Sequence, residues 1–198
     1  GPEMLGPMPV RPIATIGEPV LRAPARAITP EELSGETIQQ LIDDLIETMR
    51  AQNGAGLAAP QVFEPVQVCV IEVGDNPRYP YKPKIPLTVL VNPRLTPLTE
   101  EIFENYEGCL SVPGLRGVVP RVVVVRVEAL VRAGTLIDQE VWGLSAGTCQ
   151  HESDHLFGTR FVDRVEDTKT LCTRDAFDRH HRAGFVARVE ALVARFGT

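Results

Sequence analysis

The chain has 198 residues, enough for one domain with its own apolar core and marginal for two. A 43% hydrophobic and 23% charged content excludes a disordered or fibrous chain, and a net charge of −6 argues against a nucleic-acid binder held by phosphate contacts. Four cysteines and four histidines are the whole stock on which thiol or metal chemistry can draw.

Residues 1–9 begin Gly-Pro, have neither a basic start nor an apolar run, and read as a cloning remnant or unstructured start; one catalytic domain is expected over 10–198. Thr29-Pro30-Glu31-Glu32 combines a capping Thr, Pro at the first helical position and Glu three residues after the cap. Ile38, Leu41, Ile42, Leu45, Ile46 and Met49 then form one apolar stripe of helical period, ended by Asn53-Gly54, which predicts a helix over about 31–52. Strands are expected at Val66–Val73 and Leu87–Asn92, separated by a loop over Asn76–Pro86 with its four prolines. The Val-rich stretch Val118–Val131 is extended, with Pro120 marking a break or an edge; Ala133-Gly134 turns the chain, and Leu136–Val141 returns as a hairpin partner. Leu144–Phe157 is helical in pattern with Gly158 as its stop. Phe185, Val186, Val189, Leu192, Val193 and Phe196 make a last amphipathic helix, whose stripe suits either the body of the domain or a second copy. No run approaches the ~18 apolar residues of a membrane span. Cysteines this far apart do not form a small disulfide scaffold, so a reducing, cytosol-like compartment is expected. The expected fold is a single compact α+β domain, with short, mainly antiparallel strands around a central helix and further helices near both ends.

That central helix carries His151-Glu152-Ser153-Asp154-His155. Four helical residues turn the chain by about 400°, so the two imidazoles share one face and can share a metal. Glu152 lies off the ligand pair, placed to reach a water on that metal. A catalytic site needs a third protein ligand. The extended form of the motif, with a third His, fails because Phe161 stands there; Glu166 and the cysteines remain. Cys149, about 200° around the helix from His151, and Cys69, within an apolar strand, read as packing. Cys172 lies in a polar stretch without a pattern, and Cys109, in Glu107-Gly108-Cys109-Leu110-Ser111, is modestly favoured. His180 and His181 read as solvated.

Three segments in order, Gly54-Ala55-Gly56-Leu57-Ala58-Ala59-Pro60-Gln61, Glu107-Gly108-Cys109-Leu110-Ser111 and Gln150-His151-Glu152-Ser153-Asp154-His155, resemble the signature motifs of the peptide deformylase family. Gly17-Glu18-Pro19-Val20-Leu21-Arg22 is similar to that family's opening segment, and the resemblance runs from about residue 11 to 166. It implies metal ligation by Cys109, His151 and His155, with Fe²⁺ the usual ion and Zn²⁺, Ni²⁺ or Co²⁺ able to replace it. It further implies Glu152 as general base, Gln61 and the Leu110 backbone N–H as oxyanion donors, and a Glu107–Arg121 ion pair bracing the cysteine loop. The implied substrate is the N-formylmethionyl end of nascent chains, near the ribosome in a bacterial cytosol or in an organelle after loss of a transit peptide. Neither nucleic acid nor membrane is an expected partner. Ala55, Gly56, Leu144, Gly147 and Thr148 fall in the regions that line the family's methionine pocket. Ala55 and Gly147 stand where larger residues are usual, so a roomier pocket with weaker methionine preference is expected, unless Phe63 or Trp142 refills the space. Two rival readings are a metallopeptidase ligated by Glu166 and a non-catalytic peptide-binding module; the second would have no use for Glu152.

Overall fold

A computed structural model describes residues 10–74 and 81–198. The expectation for residues 1–9, and for the part of the proline-rich loop at 75–80, lies outside the described residues.

The Thr29 capping box forms as the sequence implies: the Glu32 N–H donates to Thr29 Oγ1 at 3.1 Å, and the Thr29 N–H donates back to Glu32 Oε1 at 3.2 Å. The helix it opens is not continuous. Helix α1 (Pro30–Ser34) ends at Gly35, whose extended backbone (φ −79°, ψ 159°) then serves as the N-cap of α2 (Glu36–Ala51). Glycine's weak helical preference makes this the place for the chain to bend, which an apolar stripe starting only at Ile38 does not reveal. Helix α2 buries Leu41, Ile42, Leu45 and Met49 against Leu57, Val68, Val70 and Val91 of the neighbouring sheet.

That sheet is antiparallel throughout. Its strands are β1 (Gly56–Ala58), β2 (Val68–Val73), β3 (Ile85–Pro97), β6 (Val124–Leu130) and β7 (Leu136–Trp142), in the order β1-β2-β3-β6-β7. Strand β3 outruns the expected Leu87–Asn92 at both ends by taking an irregularity between Val91 and Arg94. Asn92 sits there with φ +51°, and its amide pairs with both the N–H and the C=O of Ile28. A second antiparallel sheet contains β4 (Ile102–Cys109), β5 (Val112–Val122) and β8 (Cys172–Thr173). The single Val-rich stretch is therefore two strands in two sheets, parted at Val123. Pro120 lies within β5, whose second side is paired only at Leu115 and Arg116, so no ladder there needs its missing N–H.

Strand β4 is absent from the sequence reading for a physical reason. Its buried positions are Asn105, Glu107 and Cys109, so the alternation that marks a strand is present but the inward side is polar. Helix α3 (Gly143–His155) touches strands of both sheets and ends before Gly158, whose φ of +75° stops it. Helices α4 (Arg174–His180) and α5 (Arg182–Phe196) complete the described chain. The apolar stripe of α5 is spent on the body of the domain: Phe185 and Val189 are buried with Leu144 of α3 and Phe177 of α4.

Candidate active site

Cys109 ends β4, while His151 and His155 lie one turn apart on α3. Their ligand atoms converge: Cys109 Sγ is 3.5 Å from His155 Nε2, His155 Nε2 is 3.2 Å from His151 Nε2, and all three lie within 4.8 Å of one another. Glu107 sets the tautomer of His151 by accepting from Nδ1 at 2.7 Å, which turns the Nε2 lone pair towards the cluster. One thiol and two imidazoles suit a soft or borderline divalent cation, so the donor set fits a metal. Burial alone would push the Cys109 thiol up. The neighbouring His151 and the Ser111 N–H outweigh it and bring its pKa down, towards the thiolate a ligand must be.

Glu107 is itself held. Arg121 grips it with two bonds, Nε to Oε2 at 2.8 Å and Nη2 to Oε1 at 2.7 Å, and both side chains are at most 5% exposed. Burial works against charge on each partner, but their mutual attraction prevails: the carboxyl is held far below its usual range and the guanidinium raised. Arg121 Nη1 also bonds Asp154 at 2.8 Å, and Asp154 accepts two bonds from Arg164 at 2.6 and 2.8 Å. A chain of alternating charges thus runs from the His151 ring to the surface. Asp154 and Arg164 were not singled out from sequence; Asp154 is one of the two unassigned positions inside the H-E-x-x-H run.

Glu152 faces the cluster from α3. Burial, its largest influence, lifts its pKa to about 7, and its Oε2 is buried without a hydrogen-bond partner. Its Oε1 lies against Gly56, where an added Cβ would come within 2.3 Å, so only glycine leaves room for the carboxylate. Gln61 is locked from both ends. Its Oε1 accepts from the Ala58 N–H at 2.9 Å, while Nε2 donates to Ser111 Oγ at 3.0 Å and points to Cys109 Sγ at 3.4 Å. Leu110 and Ser111 form the two-residue connection between β4 and β5.

One cavity gathers Ala55, Gly56, Gln61, Glu107, Cys109, Leu110, Gly147, Thr148, His151 and Glu152. His155 and Arg121 are buried and do not line it. Leu144 is not in its lining: it lies under the C-terminal helices with Phe177, Phe185 and Val189. The roomier pocket expected at Gly147 is not found. A Cβ there would come within 2.9 Å of Phe103 Cζ, so Phe103 fills the space, whereas Phe63 and Trp142 are 44% and 40% exposed. Of the alternative ligands, Glu166 is exposed and not part of the cluster. Cys69 is buried in β2, and Cys149, on α3 itself, packs against the apolar cluster that includes Cys69, where burial pushes its thiol up to about 12. His180 and His181 are exposed, the latter stacked on Tyr106.

Fold and site together define a hydrolase with a Cys-His-His cluster able to hold a metal and a glutamate between its histidines. Residues 10–171 match the model of the polypeptide deformylase family. Peptide deformylase 1 of Nitrosomonas europaea is 44% identical over 160 residues, which are 81% of this chain and 90% of that protein. A class I type b peptide deformylase from Acinetobacter baumannii, solved with Met-Ala-Ser bound, superposes with a TM-score of 0.76 at 39% identity, over 80% of this chain and all of that one. The peptide deformylase of Synechococcus elongatus in complex with actinonin covers 92% of this chain and 90% of its own, with a TM-score of 0.73 and 32% identity. The chain belongs to the peptide deformylase family, hydrolases that remove a formyl group.

Proposed function

We propose that this chain hydrolyses the formyl amide of N-formylmethionyl peptides, with Cys109, His151 and His155 holding Fe²⁺ or a comparable divalent ion. A cation so held acidifies water and polarises a carbonyl oxygen. Glu152 takes the proton of the attacking water, whose oxygen bonds to the formyl carbon. When the C–N bond breaks, Glu152 gives that proton to the departing amine nitrogen, and formate is released. A carboxylate whose pKa is raised by burial suits both halves of that transfer. The Gln61 amide and the Leu110 N–H serve the developing oxyanion; the fixing of Gln61 through Ala58 and Ser111 supports a preorganised donor. Glu107 and Arg121 position His151, and Ala55, Gly56, Gly147 and Thr148 border the substrate. Newly made chain ends as substrate place the reaction near the ribosome, in the cytosol.

The observation that carries this reading is a buried Glu152 oxygen without a partner in the cavity lined by Cys109 and His151 of the three-ligand cluster. Formate release from a formyl-Met tripeptide, measured beside metal content, tests it. Glu152→Gln should lose about 10²–10⁴-fold in kcat while keeping its metal. Formate release that survives the substitution would overturn the mechanism. Cys109→Ala should lose metal, which a Glu166-ligated site would not.

A further inference from the structure

The wall of the cavity includes a residue with one polar atom, Asn105 Oδ1, that the proposed deformylation leaves unused. Asn105, on β4, lines the same cavity as Glu107 and is 4% exposed. Its Nδ2 donates to Glu107 Oε2 at 3.0 Å, and a carboxylate only accepts, so the amide cannot be turned round. Oδ1 is thereby committed to the other direction and has no hydrogen-bond partner, although it is buried. A buried acceptor in this state is costly unless water or a ligand supplies a donor. The surroundings are polar as well. Thr148 Oγ1, on the same cavity wall, accepts from Lys82 Nζ at 3.5 Å. Gly147, also in the lining, packs closely on this amide: a Cβ there would stand 3.4 Å from Asn105 Nδ2. A pocket dedicated to a thioether needs none of these groups.

We propose that Asn105 is a specificity-determining residue. It makes the side-chain cavity accept N-formyl peptides whose first residue is unbranched and ends in a hydrogen-bond donor, the glutamine carboxamide being the fitting case, alongside methionine. The carboxamide N–H₂ would satisfy Asn105 Oδ1, and its oxygen would face the Lys82 and Thr148 side. The inference rests on the deformylase reading of the same cavity.

The test compares kcat/KM for formyl-Met, formyl-norleucine and formyl-Gln tripeptides of otherwise identical sequence. An apolar pocket rejects an unpaired amide by about a hundredfold or more. The wild-type chain should turn over formyl-Gln within about tenfold of formyl-norleucine. Asn105→Leu should lower that ratio by about tenfold or more, because an apolar side chain offers the amide no acceptor. Calorimetric binding of the product peptides Gln-Ala-Ser and norleucine-Ala-Ser to the metal-loaded protein gives the same ratio without chemistry and should move in parallel. Strong rejection of formyl-Gln by the wild-type chain would overturn the inference while leaving deformylation intact. So would a ratio unmoved by Asn105→Leu. If that variant does not fold, the wild-type ratio and product binding still decide. Absence of formate release from every substrate would instead overturn the proposed function.

Discussion

Two arginine–carboxylate pairs in this molecule have nearly the same local chemistry and opposite settings. Arg121 grips Glu107 across β4 and β5 with two bonds, and Arg126 grips Asp138 across β6 and β7 with two bonds of 2.9 and 2.7 Å. The first pair is at most 5% exposed; the second is 46% and 50% exposed. In water the second pair exchanges one set of hydrogen bonds for another, and salt screens it. The first has no such exchange available, so each partner depends on the other and both depend on His151 and Asp154. Identical contacts can thus be structural ornament in one sheet and a fixed support for the ligand cluster in the other.

The sharpest way to break that comparison is to remove one buried partner. Glu107→Ala leaves the buried Arg121 with Asp154 alone, and urea unfolding should report a loss of about 3–5 kcal/mol. A loss as small as that of an exposed pair would show that water reaches the cluster. Glu107→Gln keeps the shape but weakens the grip on the His151 ring, and competition with a chelator should show metal affinity lower by about 10–100-fold. The pair between Arg11 and Asp44, half-way in exposure, should show an acid effect. Burial opposes the Asp44 charge, but hydrogen bonds from Arg11 and Gln40 bring its pKa below the usual value. Its stabilisation is therefore complete above the ordinary carboxylate pKa of about 4 and is lost as pH falls through the lower folded value. Arg11→Ala should remove that acid-side difference in thermal scans between pH 5 and pH 2. The smallest effect belongs to Arg126→Ala, which should leave the urea midpoint unmoved at moderate salt.

The two sheets also differ in how far their sequences announce them. Strands β2 and β6 bury valine, isoleucine and cysteine, and their apolar runs are legible. Strand β4 buries Asn105, Glu107 and Cys109, and its polar inward face hides it from any reading based on apolar alternation. That same polarity was the available signal: three polar or ligating residues at steps of two, ending at the cysteine, belong on one side of a strand.

The sequence by itself determined what acts within about four residues. The Thr29 capping box, the Gly158 stop, the helix carrying His151, Glu152 and His155, and the similarity of three motifs to the deformylase family are all of this local kind. Tertiary structure decided what joins residues far apart in the chain. It brought Cys109 beside histidines more than forty positions away, left Cys149, Glu166 and His180 outside the cluster, filled the space beside Gly147 with Phe103, and turned the Asn105 oxygen away from Glu107. The physical reason is range. Helical periodicity and capping are fixed by neighbours along the backbone, whereas ligand convergence and burial depend on how β4 and α3 pack, which no single segment encodes.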